Sequence, residues 1–137
     1  MTSPTPTTYD LAIGPVRAEI RARVPAETIR ALHRRSGWRH ALVALPVLLL
    51  LGGGALLVLE HPTGWAGLPG SIAIGLGLFL CTVLLHEVVH GSVFRRRRPR
   101  GERFLALLYG LPAGLSPTQF QRWHLDHHRW LGTDDLD

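Results

Sequence analysis

Residues 41–59, ALVALPVLLLLGGGALLVL, contain no charged side chain. At a helical rise of about 1.5 Å per residue this stretch reaches about 28 Å, close to the hydrocarbon thickness of a bilayer. An uncharged apolar run of that length predicts a membrane-spanning helix. Trp38 adds an interfacial anchor, and Pro46 and Gly52 to Gly54 are tolerated where a helix packs against neighbours. A second charge-free stretch covers residues 62–85, PTGWAGLPGSIAIGLGLFLCTVLL, and continues as helix into HEVVH at 86–90. The two spans are therefore expected at about 38–59 and 66–90. They are joined by EHPTGWAGLPG (60–70), which is rich in turn formers and has no arginine.

The averages over the whole chain hide this pattern. With 137 residues there is room for one ordinary domain, and 46% hydrophobic against 18% charged, with a mean hydropathy of +0.14, resembles a soluble protein. The apolar and charged residues are segregated along the chain, however, and that excludes a soluble globule. All 15 basic residues are arginine, giving a net charge of +5 and a pI near 10.9. The absence of lysine, with abundant Ala, Leu, Gly and Pro, fits a GC-rich bacterial coding bias. Because the arginines flank the apolar runs, they indicate a membrane surface rather than nucleic acid. The single cysteine, Cys81, reads as a small buried hydrophobe, so neither a disulfide framework nor a thiolate metal site is expected.

Outside the spans, residues 1–24 are expected as a flexible N-terminal tail, opening with MTSPTPTT and lacking the charged-then-apolar order of a signal peptide. Residues 25–37 predict a short interfacial helix, with Pro25 in its first turn, Glu27 near its positive end, Arg34 and Arg35 near its negative end, and Ile29 and Leu32 dipping toward lipid or protein. Residues 104–115 are apolar but too short to span, and are expected in the interface. Seven arginines precede the first span and six lie between Arg95 and Arg103 after the second. By the positive-inside rule both termini face the cytoplasm, as in a multi-pass protein of the bacterial inner membrane. The run Arg95 to Arg98 then serves as a stop-transfer signal and headgroup anchor. The expected fold class is an all-α membrane protein: a two-helix transmembrane hairpin with cytoplasmic amphipathic and interfacial helices.

Five of the eight histidines form two clusters on that cytoplasmic side. In His86-Glu87-Val88-Val89-His90 the histidines are four apart, so on a helix they lie about 40° and about 6 Å from each other and share a face. In His124-Leu125-Asp126-His127-His128, spacings of three and four put all three rings on an arc of about 100°. Imidazole suits iron and zinc, so two such faces are candidate metal ligands. The remaining histidines, His33, His40 and His61, lack this pattern and are expected at the surface or among headgroups. HExxH is also the zinc-protease motif, with Glu87 as general base. An intramembrane metalloprotease is thus an alternative, but one that leaves the second cluster unused.

HEVVHGSVF and FQRWHLDHHRWLGTDDLD together resemble the first two histidine boxes of the membrane fatty acid desaturase family, and the wording around the second box is closest to sphingolipid and acyl-lipid desaturases. His86 and His124 are 38 positions apart, within that family's spacing. HG after the first box and LLYGL are similar to carotenoid ketolases and hydroxylases, a related branch. The resemblance implies that residues 38–137 are the N-terminal part of a desaturase domain. It implies two iron ions held by His86, His90, His124, His127 and His128, with Glu87 and Asp126, and also Asp134, Asp135 and Asp137, orienting the imidazoles. It further implies O₂-dependent removal of hydrogen from an unactivated C–H bond of a fatty-acyl or sphingolipid chain, giving a double bond or, in a hydroxylase, an alcohol. Electrons would come from a ferredoxin or cytochrome-b5-type donor.

The sequence departs from the family in one respect. There is no third histidine box and no second pair of spans, and five imidazoles do not fill two iron coordination spheres. The isolated chain is therefore expected to be an inactive N-terminal fragment or a subunit completed by another chain. A degenerate membrane-anchored fragment without turnover is the corresponding non-enzyme reading.

Overall fold

Two long helices, α3 (Gly37–Glu60) and α4 (Gly67–Val89), are the longest elements among the described residues, each end within one residue of the expected spans. The computed structural model describes residues 8–65 and 67–130, and all its regular structure there is helical. Before the pair come α1 (Thr8–Arg23) and α2 (Ala26–Leu32), and after it α5 (Pro99–Gly110) and α6 (Pro117–Trp130). The chain divides into two compact units, Arg35–Phe120 and the segments on either side of it.

Within Arg35–Phe120, α3 packs along α4 and α4 packs on α5. Both long helices are long and apolar enough to cross a bilayer, and only 17% and 28% of their apolar windows are buried. A core helix of a soluble protein would bury most of that surface. Here Leu42, Leu49 and Leu56 of α3, and Ile72, Phe79 and Val83 of α4, face outward. The fold is that of a helical membrane protein.

Small residues set the spacing of the pair. A Cβ on Gly54 would lie 2.8 Å from the Gly70 carbonyl oxygen, and one on Gly70 would lie 2.9 Å from the Gly54 carbonyl oxygen. The two backbones therefore meet where only glycine fits, the usual basis for helix association in lipid. Nearer the other end, Ala44 and Val47 of α3 pack into a core with Cys81, Leu84, Leu85 and Val88 of α4, Val93, and Tyr109 of α5. Cys81 is completely buried and free, as its sequence setting suggested.

α4 ends abruptly because Gly91 adopts φ +61°, a left-handed conformation that stops the helix. The Ser92 backbone N–H and hydroxyl then both donate to the Glu87 carbonyl, at 3.1 and 2.7 Å. Arg95 to Arg98 form the irregular link, and Pro99 opens α5, where its missing N–H costs nothing. Ser116 caps α6 ahead of Pro117, its carbonyl accepting the Phe120 N–H at 2.9 Å.

Two expectations are revised outside this unit. Residues 8–23, placed in a flexible tail, form α1, whose Glu19 and Arg23 pair at 2.8 Å one turn apart. Ala, Arg and Glu are good helix formers, and their propensity outweighs the Ser, Thr and Pro of the first eight residues. The interfacial helix is shorter than 25–37: Pro25 sits at the N-cap of α2, and Gly37 and Trp38 belong to α3. Residues 1–7 lie outside the described residues.

Candidate functional site

The last turns of α4 carry the first histidine pair. His86 and His90 are four apart on continuous helix, and their rings meet edge to face at 4.6 Å between centroids. A ligand nitrogen of one lies within 4.8 Å of a ligand nitrogen of the other. A small rotation of either ring brings two nitrogens to the spacing needed around one ion at bonds of about 2.1 Å.

α6 repeats the device. His124 and His128, again four apart, meet edge to face at 4.5 Å, with ligand nitrogens within 4.8 Å. His124 is buried, only 7% exposed, whereas its helix neighbours Trp123 and Leu125 are open. The third histidine of this box is arranged differently. The His127 ring stacks on Trp123, centroids 6.0 Å apart and planes 12° from parallel, and is 5.9 Å from the His128 ring. All-imidazole pairs without thiolate are a donor set suited to iron or zinc.

Of the acids expected to orient these imidazoles, Asp126 and Glu87 each have a partner of their own. Asp126 lies 3.7 Å from Arg129 one turn on, an exposed ion pair of small energetic weight. Asp134, Asp135 and Asp137 lie outside the described residues. Glu87 is more informative, since its Oε2 accepts a hydrogen bond from Nδ1 of His40 at 3.2 Å. On the other side of that ring, Nε2 is 3.1 Å from the Tyr109 hydroxyl. In the neutral ring, Nδ1–H donates to the carboxylate and Nε2 accepts from the phenol. His40 therefore links α3, α4 and α5.

This corrects the surface role expected for His40, which is 8% exposed. A histidine in the first turn of a spanning helix cannot hide in lipid without partners, so it turns into the bundle. Its position inside the span was the available clue, and neither Tyr109 nor the Glu87 contact follows from any local motif. Tyr109 is fully buried, and its phenol titrates above the ordinary 10.0, first because of burial, with the Glu87 carboxylate adding to the shift. His33 and His61 are exposed, as expected, and close helices: His33 Nδ1 pairs with the Ile29 carbonyl at 2.8 Å, and His61 caps α3.

The fold and these residues define a class: a helical membrane protein whose spanning pair ends in paired imidazoles, with a second pair on a following helix. The family model described as fatty acid desaturase matches residues 63–137, which include both histidine boxes, and the chain belongs to that family. Similar curated proteins include the Bos taurus sphingolipid delta(4)-desaturase/C4-monooxygenase DES2, 40% identical over 57 residues, 41% of this chain and 18% of that protein. The Arabidopsis thaliana sphingolipid delta(4)-desaturase DES1-like is 34% identical over 113 residues, 80% of this chain and 32% of its own length. A third relative is the Gallus gallus sphingolipid delta(4)-desaturase DES1, 40% identical over 57 residues, again 41% of this chain and 18% of that protein. The chain spans about a third or less of the length of these relatives. No solved structure matches it.

Proposed function

We propose that this chain contributes the membrane hairpin and histidine ligands of an O₂-dependent lipid oxidoreductase that introduces a double bond into a fatty-acyl or sphingolipid chain. The observation that carries this reading is the pairing of imidazoles four apart at the end of α4 and again on α6, inside the stretch that matches the desaturase family. His86, His90, His124, His127 and His128 would hold two iron ions, which supply O₂ activation and the oxidising power to break an unactivated C–H bond. The apolar walls of the hairpin bring the lipid substrate to that chemistry from the bilayer. His40 holds the Glu87 carboxylate and so fixes the last turns of α4, from which His86 and His90 project. A ferredoxin or cytochrome-b5-type donor would deliver electrons at the cytoplasmic face of a bacterial inner membrane, the side to which the positive-inside rule would assign both termini.

Hydroxylation is the second reading, favoured by one observation: the bovine relative is named both desaturase and C4-monooxygenase. The test is metal analysis of the purified chain with alanine substitutions. Iron that falls in His86→Ala/His90→Ala and also in His127→Ala/His128→Ala supports the histidine-box reading. Bound zinc that survives loss of His127 and His128 would favour a protease and overturn it.

A further inference from the structure

The end of the hairpin where α3 begins and α4 finishes contains two adjoining spaces, the inner of which is also lined by His40 and Tyr109. Ser36, Gly37 and Trp38 face Phe94 and Arg95 to Arg98 across a polar pocket of about 990 Å³. Beside it, sharing Gly37 and Phe94, an apolar cavity of about 460 Å³ runs between α3 and α5, walled by Ala41, Leu45, Leu48, Leu105 and Leu108. The second volume falls in the range of small-molecule sites. The two meet where the Gly37 backbone and the Phe94 ring nearly touch, a Cβ on Gly37 standing only 3.2 Å from that ring.

Electrostatics and position indicate the occupant. Among the described residues no acidic group pairs with Arg95, Arg96, Arg97 or Arg98, and the only partner of the four is the Phe94 ring, 5.8 Å beneath the Arg98 guanidinium. Four adjacent guanidiniums repel one another unless an anion lies among them, and guanidinium suits a phosphate. Trp38 is 69% exposed beside them, the setting of an indole at headgroup depth. A free phosphate or nucleotide would neutralise the arginines but leave the apolar cavity empty. That cavity opens along a spanning helix, where the surrounding solvent is lipid tails.

We infer that this end of the hairpin binds one anionic glycerophospholipid, its phosphate among Arg95 to Arg98 and one acyl chain laid in the cavity between α3 and α5. Diffuse attraction of a basic run to an anionic surface depends on charge alone, whereas this site depends equally on the shape of the cavity. The inference rests on the hairpin and is independent of the metal.

Native mass spectrometry of the purified chain in mild detergent, with phosphatidylglycerol or phosphatidylcholine of identical acyl chains, tests it. One phosphatidylglycerol should remain bound under conditions that remove phosphatidylcholine and inorganic phosphate. Replacing all four arginines by Gln should weaken retention about tenfold or more. Ala41→Trp, which fills the cavity without changing any charge, should weaken it comparably, and Ile72→Trp on the outer face of α4 should not. Leu45→Trp replaces Ala41→Trp should that variant lose its helical circular dichroism. Equal retention of the two lipids, or phosphatidylglycerol retention unaffected by filling the cavity, overturns the site.

Discussion

Nδ1 of His40 lies 3.2 Å from Oε2 of Glu87, bridging the first turn of one spanning helix and the last turns of the other across 47 positions of sequence. The imidazole side chain is 5% exposed and the carboxylate side chain 53%, so the contact runs from the interior to the open end of α4. Through it, a buried residue of α3 restrains the turn that presents His86 and His90.

Removing that imidazole leaves the Tyr109 hydroxyl buried without its partner and frees Glu87. His40→Ala should destabilise the hairpin by about 1–3 kcal/mol, the cost of unsatisfied buried polar groups. His40→Gln, which keeps a donor and an acceptor, should recover part of the loss. Thermal unfolding followed by circular dichroism in detergent measures both, and an unchanged midpoint in His40→Ala would show that the bridge carries no weight.

Tyr109 makes the same cluster sensitive to alkali. Its phenol is raised above 10.0, chiefly by burial, so the folded state holds the proton more tightly than the unfolded chain does. The associated stability is complete below the unfolded value and is lost as pH rises through the higher folded value. In a Tyr9→Phe background, where Tyr109 is the sole tyrosine, tyrosinate absorbance should reach half its amplitude above pH 10 and coincide with loss of helix. Tyr109→Phe should abolish that alkaline loss while costing about 1 kcal/mol at neutral pH through the lost hydrogen bond.

The glycine contact gives a prediction at the opposite end of the hairpin. Any side chain at Gly70 must displace the Gly54 carbonyl, 2.9 Å from where its Cβ would stand. Gly70→Val should cost about 1–3 kcal/mol, as overpacking does. Gly53→Ala, where a Cβ meets nothing within 4 Å, should be neutral or stabilise by up to about 1 kcal/mol. Unfolding of both variants in graded denaturing detergent compares them, and equal midpoints would refute close packing at this point.

What could be read without coordinates follows the range of the physics involved. Span length and charge exclusion are local properties, so α3 and α4 end within one residue of their expected limits. Helical periodicity is also local, and it puts His86 and His90 on one face and His124, His127 and His128 on one arc; the rings of His86 and His90, and of His124 and His128, meet edge to face. The rotation of His127 onto Trp123 depends on side-chain stacking, which spacing does not encode. The His40–Glu87–Tyr109 bridge joins three helices, and no sequence period connects positions 40, 87 and 109. The helicity of α1 is masked for a different reason: its good helix formers follow a start rich in Ser, Thr and Pro that has the composition of a disordered tail.

His127 supplies a further prediction because its present neighbour is fluorescent. Its ring is stacked on Trp123 with planes 12° apart. If His127 joins the metal ligands, as the family resemblance implies, the ring must turn away from the indole when the ion binds. Titrating the chain with Fe(II), or with Co(II) as an air-stable substitute, should then change the tryptophan emission saturably. The change should vanish in Trp123→Phe while Trp38, Trp65 and Trp130 still report, and metal uptake should persist in that variant because the indole is not a ligand. His127→Ala should remove the emission change and weaken binding by about 10-fold or more, the usual scale for losing a metal-site residue. Full metal uptake with an unaltered Trp123 signal would show that His127 stays on the indole and that the other imidazoles hold the ion without it.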